Sequence, residues 1–282
     1  MKRVIILVLL VGLAGIAGIV RSHSKSIESA QVPGTSQDNQ KTRDEIRKTV
    51  DLSPGATVEV SGINGAVRIE TSNSSTAEIY IERKAESAEA LARRKVVVET
   101  GSNFIKIHGE KGDVGFFAKL FGSSPSEKVT LKLPRQISLT TRGVNGAVNV
   151  GEVEGSVQVE GINGKVEIGQ AVGSANFTGI NGNINVSLKT VDKAGVNISG
   201  VNGNIELRFP EGLSADFEAH GMNGSVVSDL EDVKVEKERH GTWFARLGSG
   251  GNAISANGIN GNIRLTRASL AAVPAEETKP KG

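Results

Sequence analysis

Asparagine is the polar residue that this chain places with the most regularity. Gly-(Ile/Val/Met)-Asn-Gly occurs seven times, starting at Gly62, Gly143, Gly161, Gly179, Gly200, Gly221 and Gly258. The asparagines so placed are Asn64, Asn145, Asn163, Asn181, Asn202, Asn223 and Asn260. A side-chain amide carries two donors and a two-lone-pair acceptor. A column of them can therefore satisfy its own members at a corner, or offer a repeated hydrogen-bonding edge to a carbohydrate. Neither role breaks a covalent bond.

The remaining candidates for chemistry are sparse. Of the four histidines, His23 lies in a polar stretch, and His108, His220 and His240 are isolated in sequence. No H-E-x-x-H or other metal-ligand spacing is present. There is no G-x-S-x-G elbow. Absence of cysteine removes thiolate ligands, cysteine nucleophiles and disulfides together. The best acid pair is Glu167 and Glu206, in an outward column Arg68, Asn149, Glu167, Asn185, Glu206, Arg264. Two strand spacings put them roughly 9.6 Å apart, near the separation of inverting glycosidases. Their column is otherwise mixed and solvated. The expectation is a protein that is not an enzyme, with no catalytic residue, no metal site and no cofactor.

The elements that carry these residues follow from spacing. Five motif copies, from Gly143 to Gly221, run at intervals of 18, 18, 21 and 21 residues, the mark of stacked structural repeats. Around each copy apolar residues alternate: Val157 and Val159, then Val166 and Ile168; Ala175 and Phe177, then Ile184 and Val186. Period-2 spacing indicates strands with one buried face. Asn-Gly between two such runs is also a hairpin signal. A two-residue hairpin loop would turn the preceding position to solvent, yet that position is apolar in all seven copies (Ile63, Val144, Ile162, Ile180, Val201, Met222, Ile259). An open corner that turns it inward accounts for all seven. The expected fold is all-β: a single-stranded parallel β-helix, or solenoid, with 18–21-residue coils. In it Asn145, Asn163, Asn181, Asn202 and Asn223 stack in chain order.

The repeat breaks twice. The 81 residues from Gly62 to Gly143 are expected to hold about four coils, with strands near 76–82, 95–100, 103–108 and 128–133. Ser87 to Arg94 reads as a short helix or a long loop. The 37 residues from Gly221 to Gly258 should hold one coil without the motif, with Trp243 packed in it. Within 112–122, Phe116, Phe117, Leu120 and Phe121 form an apolar cluster, read either as a cover for the solenoid flank or as a finger for a partner or membrane. Specific recognition is expected in 83–128 and 229–252.

At the start, Met1-Lys2-Arg3 and the uncharged run Val4–Val20 form a signal peptide or N-terminal membrane anchor (1–20). A polar linker (21–45), a folded body (46–267) and a Pro-containing disordered tail (268–282) follow. Residues 1–30 hold four cations against one anion, so the chain's net +2 leaves −1 on the remainder. That balance, without basic residues interleaved with aromatics, excludes a nucleic-acid partner.

The stretch Ile46-Arg-Lys-Thr-Val-Asp-Leu-Ser-Pro-Gly-Ala-Thr-Val-Glu-Val-Ser-Gly-Ile-Asn-Gly-Ala-Val-Arg-Ile69 resembles the opening of the bacterial "putative adhesin" β-strand-repeat family. The later Gly-Ile-Asn-Gly copies are similar to the GIN head domain of autotransporter adhesins, and toast-rack domains are related. The resemblance spans about 46–267. It implies a right-handed parallel β-helix, exported to the periplasm, the outer face of the membrane or the cell surface of a bacterium. It also implies a non-catalytic binding module whose partner is a cell-envelope protein or glycan. The alternative it carries is an envelope-stress accessory that contacts a membrane partner, with residues 4–20 as the means of membrane association. It offers no catalytic residues to transfer.

Overall fold

The computed structural model describes residues 42–111, 124–238 and 241–268, all within one compact unit, residues 39–282. In chain order the elements are β1 (Thr42–Asp51), β2 (Ala56–Ser61), β3 (Gly65–Ser72), β4 (Thr76–Ala85), α1 (Ala88–Ala92), β5 (Arg94–Gly101), β6 (Phe104–Lys111) and β7 (Ser126–Pro134). Then come β8 (Ile137–Arg142), β9 (Val148–Val153), β10 (Val157–Glu160), β11 (Val166–Val172), β12 (Ala175–Asn181), β13 (Ile184–Thr190), β14 (Val196–Asn202) and β15 (Ile205–Phe209). The chain closes with β16 (Ala215–His220), β17 (Val226–Ser228), β18 (Val235–Lys237), β19 (Trp243–Leu247), β20 (Ala253–Asn260) and β21 (Ile263–Arg267). The protein is all-β, built as two large sheets of ten and eleven strands.

From β8 to β15 strands alternate between the sheets, and each pairs in parallel with the strand two places on. Val157 of β10 faces Ala175 of β12, an offset of 18, and Ala175 faces Val196 of β14, an offset of 21. Val166 of β11 likewise lies between Val148 and Ile184. One strand of each sheet, joined by its Gly-x-Asn-Gly corner, makes a rung. Because the corner joins different sheets, it is not a hairpin. The alternating residues Val157, Val159, Val166, Ile168, Phe177, Ile184 and Val186 meet between the sheets with at most 1% exposure. Burial of each such aliphatic or aromatic side chain contributes about 1.5–3 kcal/mol. The apolar second residue of the motif joins them: Ile63, Val144, Ile162, Ile180, Val201 and Ile259 are buried, and Met222 is half-buried.

Spatial order departs from chain order at both ends. The first rung in sequence, β2/β3, has β6/β7 outside it, since β6 pairs with β2 and β7 with β3. The last rung in sequence, β20/β21, sits between β14/β15 and β16/β17. The first and last parallel rungs in sequence thus both lie inside the stack.

Antiparallel strands close it: β4 on β7 and β1 on β4, and β5 on β6, at one end; β19 on β16 and β18 on β19 at the other. This corrects three expectations. Residues 66–142 contain one complete extra rung plus antiparallel strands rather than four coils, although strands and a short helix lie where expected. Residues 229–252 make the β18–β19 hairpin rather than a coil. Stacking does not follow chain order, so β16 is two places from β14.

The physical reason is shared. A bare terminal rung exposes core and unpaired backbone, and antiparallel strands cover both. Trp243 of β19 is half-buried against the core, with the Lys237 ammonium 4.7 Å over its ring. The edge strand β1 begins four residues inside the stretch read as linker, and its charge-rich sequence TRDEIRKTVD discourages further pairing.

In the copy 179–182, Gly179 has φ 65° and Gly182 has φ 153°. A Cβ on Gly179 would meet nothing nearer than 3.7 Å, whereas on Gly182 it would lie 2.3 Å from the carbonyl oxygen of Gly164 in the next rung. Gly179→Asn should therefore cost about 1 kcal/mol or less, since Asn visits the left-handed region. Gly182→Ala should cost roughly 3 kcal/mol or more, because backbone must move. Equilibrium urea unfolding of both variants checks this; equal costs would contradict the steric account.

Candidate functional site

The seven motif asparagines form one continuous ladder along an edge of the stack. Each Nδ2 donates to the Oδ1 of the next: Asn223 to Asn260 (2.9 Å), Asn260 to Asn202 (3.0 Å), Asn202 to Asn181 (3.2 Å), and Asn181 to Asn163 (3.1 Å). Asn163 then donates to Asn145 (3.0 Å), and Asn145 to Asn64 (3.0 Å). Every amide points the same way, an arrangement in which hydrogen bonds polarise one another. The order through Asn260 follows from the inserted last rung. Six of the seven are exposed and Asn64 is half-buried, so the ladder lies on the surface of the corner rather than inside it. Three motif copies carry a fifth residue, Asn183, Asn204 and Asn262, that builds a second ladder: Asn204 N–H donates to Asn183 Oδ1, and Asn262 N–H to Asn204 Oδ1, both at 2.9 Å.

One end of the main ladder is capped. Asn64 Nδ2 donates to the Pro125 carbonyl (2.8 Å) and its N–H to Glu127 Oε2 (2.8 Å). Glu127 is 1% exposed, and its other oxygen takes the Arg94 Nε–H at 2.9 Å. Arg94 also donates to the Gly62 carbonyl. Where β6/β7 lacks the motif, the buried Glu127 carboxylate, paired with a half-buried Arg94, and the Pro125 carbonyl thus stand in for the missing asparagine. At the other end Asn223 Oδ1 accepts nothing among the described residues.

The outer face of the eleven-stranded sheet is a second regular surface. Cross-strand register aligns Thr140, Gln158, Asn176, Asn197, Ser255 and Glu218 in one column, and Arg142, Glu160, Thr178, Ser199, Asn257 and His220 in the next. The middle three rungs present only amides and hydroxyls, knitted by Thr178–Asn176 (3.2 Å), Thr178–Ser199 (3.2 Å) and Asn257–Ser255 (3.0 Å).

This strip runs into a solvent-open groove of about 710 Å³, lined by Phe244, Ser255, Asp216, Glu218, Glu236 and Arg246. Phe244 of β19 stands between Glu218 and Glu236 on its neighbours. Asp216 accepts from the Gly251 N–H (2.9 Å) and from Arg246 Nε (3.0 Å). These two partners hold its carboxyl below the usual aspartate range, Gly251 contributing most. The clamp on the 248–252 loop is therefore complete above the unfolded aspartate pKa and is lost as pH falls through the lower folded value.

Of the residues singled out from sequence, the structure joins all seven asparagines. Phe116, Phe117, Leu120 and Phe121 lie outside the described residues, as do residues 1–41. Glu167 and Glu206 flank Asn185 two strands apart, but each is bound to a basic neighbour, Lys165 (2.8 Å) and Arg208 (2.6 Å). The amide and hydroxyl strip escaped the sequence reading. Its signal is the matched triplets Asn176-Phe-Thr, Asn197-Ile-Ser and Ser255-Ala-Asn.

No family model matches the chain, and no curated protein does. Solved structures do. The chain is similar to a putative cell adhesion protein from Clostridium sporogenes at 12% identity and TM-score 0.38, over 80% of this chain and 100% of the other. It is similar to a putative adhesin from Parabacteroides distasonis at 10% identity and TM-score 0.27, over 80% and 97%. A putative lipid binding protein of the same organism gives 11% and 0.28, over 80% and 97%. Putative adhesins recur among its structural relatives.

Three substitutions test the ladder. Asn181→Ala breaks two links and should cost about 1–2 kcal/mol, roughly twice the cost of Asn223→Ala, which breaks one. Glu127→Ala should cost about 3 kcal/mol or more by stranding Arg94 and the Asn64 N–H. Thermal unfolding of the three variants gives the order Glu127, Asn181, Asn223; a different order contradicts the assignment of the cap.

Proposed function

We propose that the chain is a non-catalytic, exported binding module of adhesin type, a right-handed parallel β-solenoid that recognises a cell-envelope or surface glycan on the outer face of its eleven-stranded sheet. The observation that carries the reading is the uncharged strip from Asn176 to Asn257 leading into the Phe244 groove. Amides and hydroxyls at strand spacing suit sugar hydroxyls, and an aromatic ring beside them suits the apolar face of a pyranose. The corner asparagines are poorer ligands, since six Oδ1 atoms and all seven Nδ2 groups are already engaged along the ladder. Export is carried by residues 1–20, whose basic start and apolar run have the pattern of a targeting segment.

Binding of the purified full chain to a panel of neutral and acidic polysaccharides tests the reading. Phe244→Ala and Asn197→Lys should each reduce binding on the order of tenfold, the loss of about 1.4 kcal/mol. Asn181→Asp should leave binding intact in protein that stays folded. Loss of binding in Asn181→Asp alone would move the site to the corner. Turnover of a glycan that Glu167→Gln abolishes would make the protein an enzyme. Fractionation of expressing cells with N-terminal sequencing checks export, and recovery only in the cytosol would refute it.

A further inference from the structure

The chain has eight Asn-Gly dipeptides, Asn257-Gly258 on the sheet face and seven in the ladder. The seven share one motif but not one environment, and the difference concerns their chemical lifetime. An asparagine followed by glycine is prone to deamidation because no Cβ shields the next backbone nitrogen. That nitrogen, on losing its proton, attacks the side-chain Cγ. The new N–C bond closes a five-membered imide and the Cγ–Nδ2 bond breaks, releasing ammonia. Water then opens the imide at either carbonyl to give aspartate or isoaspartate. The attack requires that the side-chain amide can rotate and that the glycine N–H is not donated elsewhere.

The ladder blocks both requirements along most of its length. Gly164, Gly182, Gly203 and Gly261 donate their N–H groups to the carbonyls of Asn181, Asn202, Asn260 and Asn223 at 3.0–3.1 Å. Six asparagines accept at Oδ1 from the neighbouring rung while donating from Nδ2. Asn223 is the exception. It stands on the outermost parallel rung; among the described residues its Oδ1 accepts nothing and the Gly224 N–H, like that of Gly146, has no partner; and Asn223 and Gly224 are both exposed. One hydrogen bond, Nδ2 to Asn260, holds its side chain.

We infer that, within the ladder, Asn223-Gly224 is the site of spontaneous deamidation, and that the other motif copies are protected by the stack itself. Conversion replaces the last donor of the ladder with a carboxylate that cannot serve Asn260 Oδ1, so the chain loses its terminal link and gains a negative charge there. The five links between Asn260 and Asn64 are untouched.

The test needs no variant. Folded full-length protein is held in mildly alkaline buffer, sampled over time, digested, and the amide-to-acid conversion measured by mass spectrometry at the seven ladder asparagines. Asn223 should convert on the order of tenfold faster than Asn163, Asn181 or Asn202, the advantage set by roughly one missing hydrogen bond. In protein unfolded by urea, where all seven are plain Asn-Gly, that ratio should collapse toward one. Equal rates in the folded protein, or an interior asparagine converting first, would overturn the inference. So would a ratio that survives unfolding.

Discussion

A backbone carbonyl of each rung lies where the fourth glycine of the next rung would carry a side chain. For Gly182 that distance is 2.3 Å and for Gly261 it is 2.2 Å. This contact fixes how closely corners stack, and the remaining features depend on it. It brings consecutive asparagine amides to 2.9–3.2 Å, aligns the glycine N–H groups with the next asparagine carbonyls, and directs the motif's second residue into the core. A Cβ at that position would separate the corners, open the ladder and withdraw the aliphatic residue together. The motif is therefore one constraint written in four residues.

The stack makes two surfaces with opposite uses of similar groups. At the corner, amides spend their capacity on one another, and what results is stability and chemical protection. On the sheet face, Asn176, Asn197 and Asn257 point away from the ladder and keep capacity for another molecule. Where the repeat ends, different chemistry takes over: Glu127 with Arg94 at one end, and the β18–β19 hairpin with its Phe244 groove at the other.

Much of the regular part was legible because a period leaves a trace in every copy. Ile180 and its equivalents are apolar although a hairpin would expose them, and this separated corner from turn. The ends were not legible for an equally physical reason. Ala77, Ile79 and Ile81 alternate as they would in a parallel rung, so nothing in β4 tells that it runs antiparallel to β7. The insertion of β20/β21 was hidden because Ile254 and Ile263 fit any rung; only competition between neighbours in space decides. The sheet-face strip was missed because its members are outward positions in separate repeats, and their alignment appears once register is known.

The placement of the last rung is the claim on which ladder order, capping and the exposed Asn223 all rest. It can be read by disulfide trapping, since the chain has no cysteine of its own. Asn197 pairs with Ser255, whereas stacking in chain order would pair Asn197 with Glu218. Direct neighbours lie within disulfide reach, and strands two apart, at roughly 9.6 Å, do not. Under mild oxidation Asn197→Cys with Ser255→Cys should crosslink within the folded chain, and Asn197→Cys with Glu218→Cys should stay reduced. The reverse result would contradict the account.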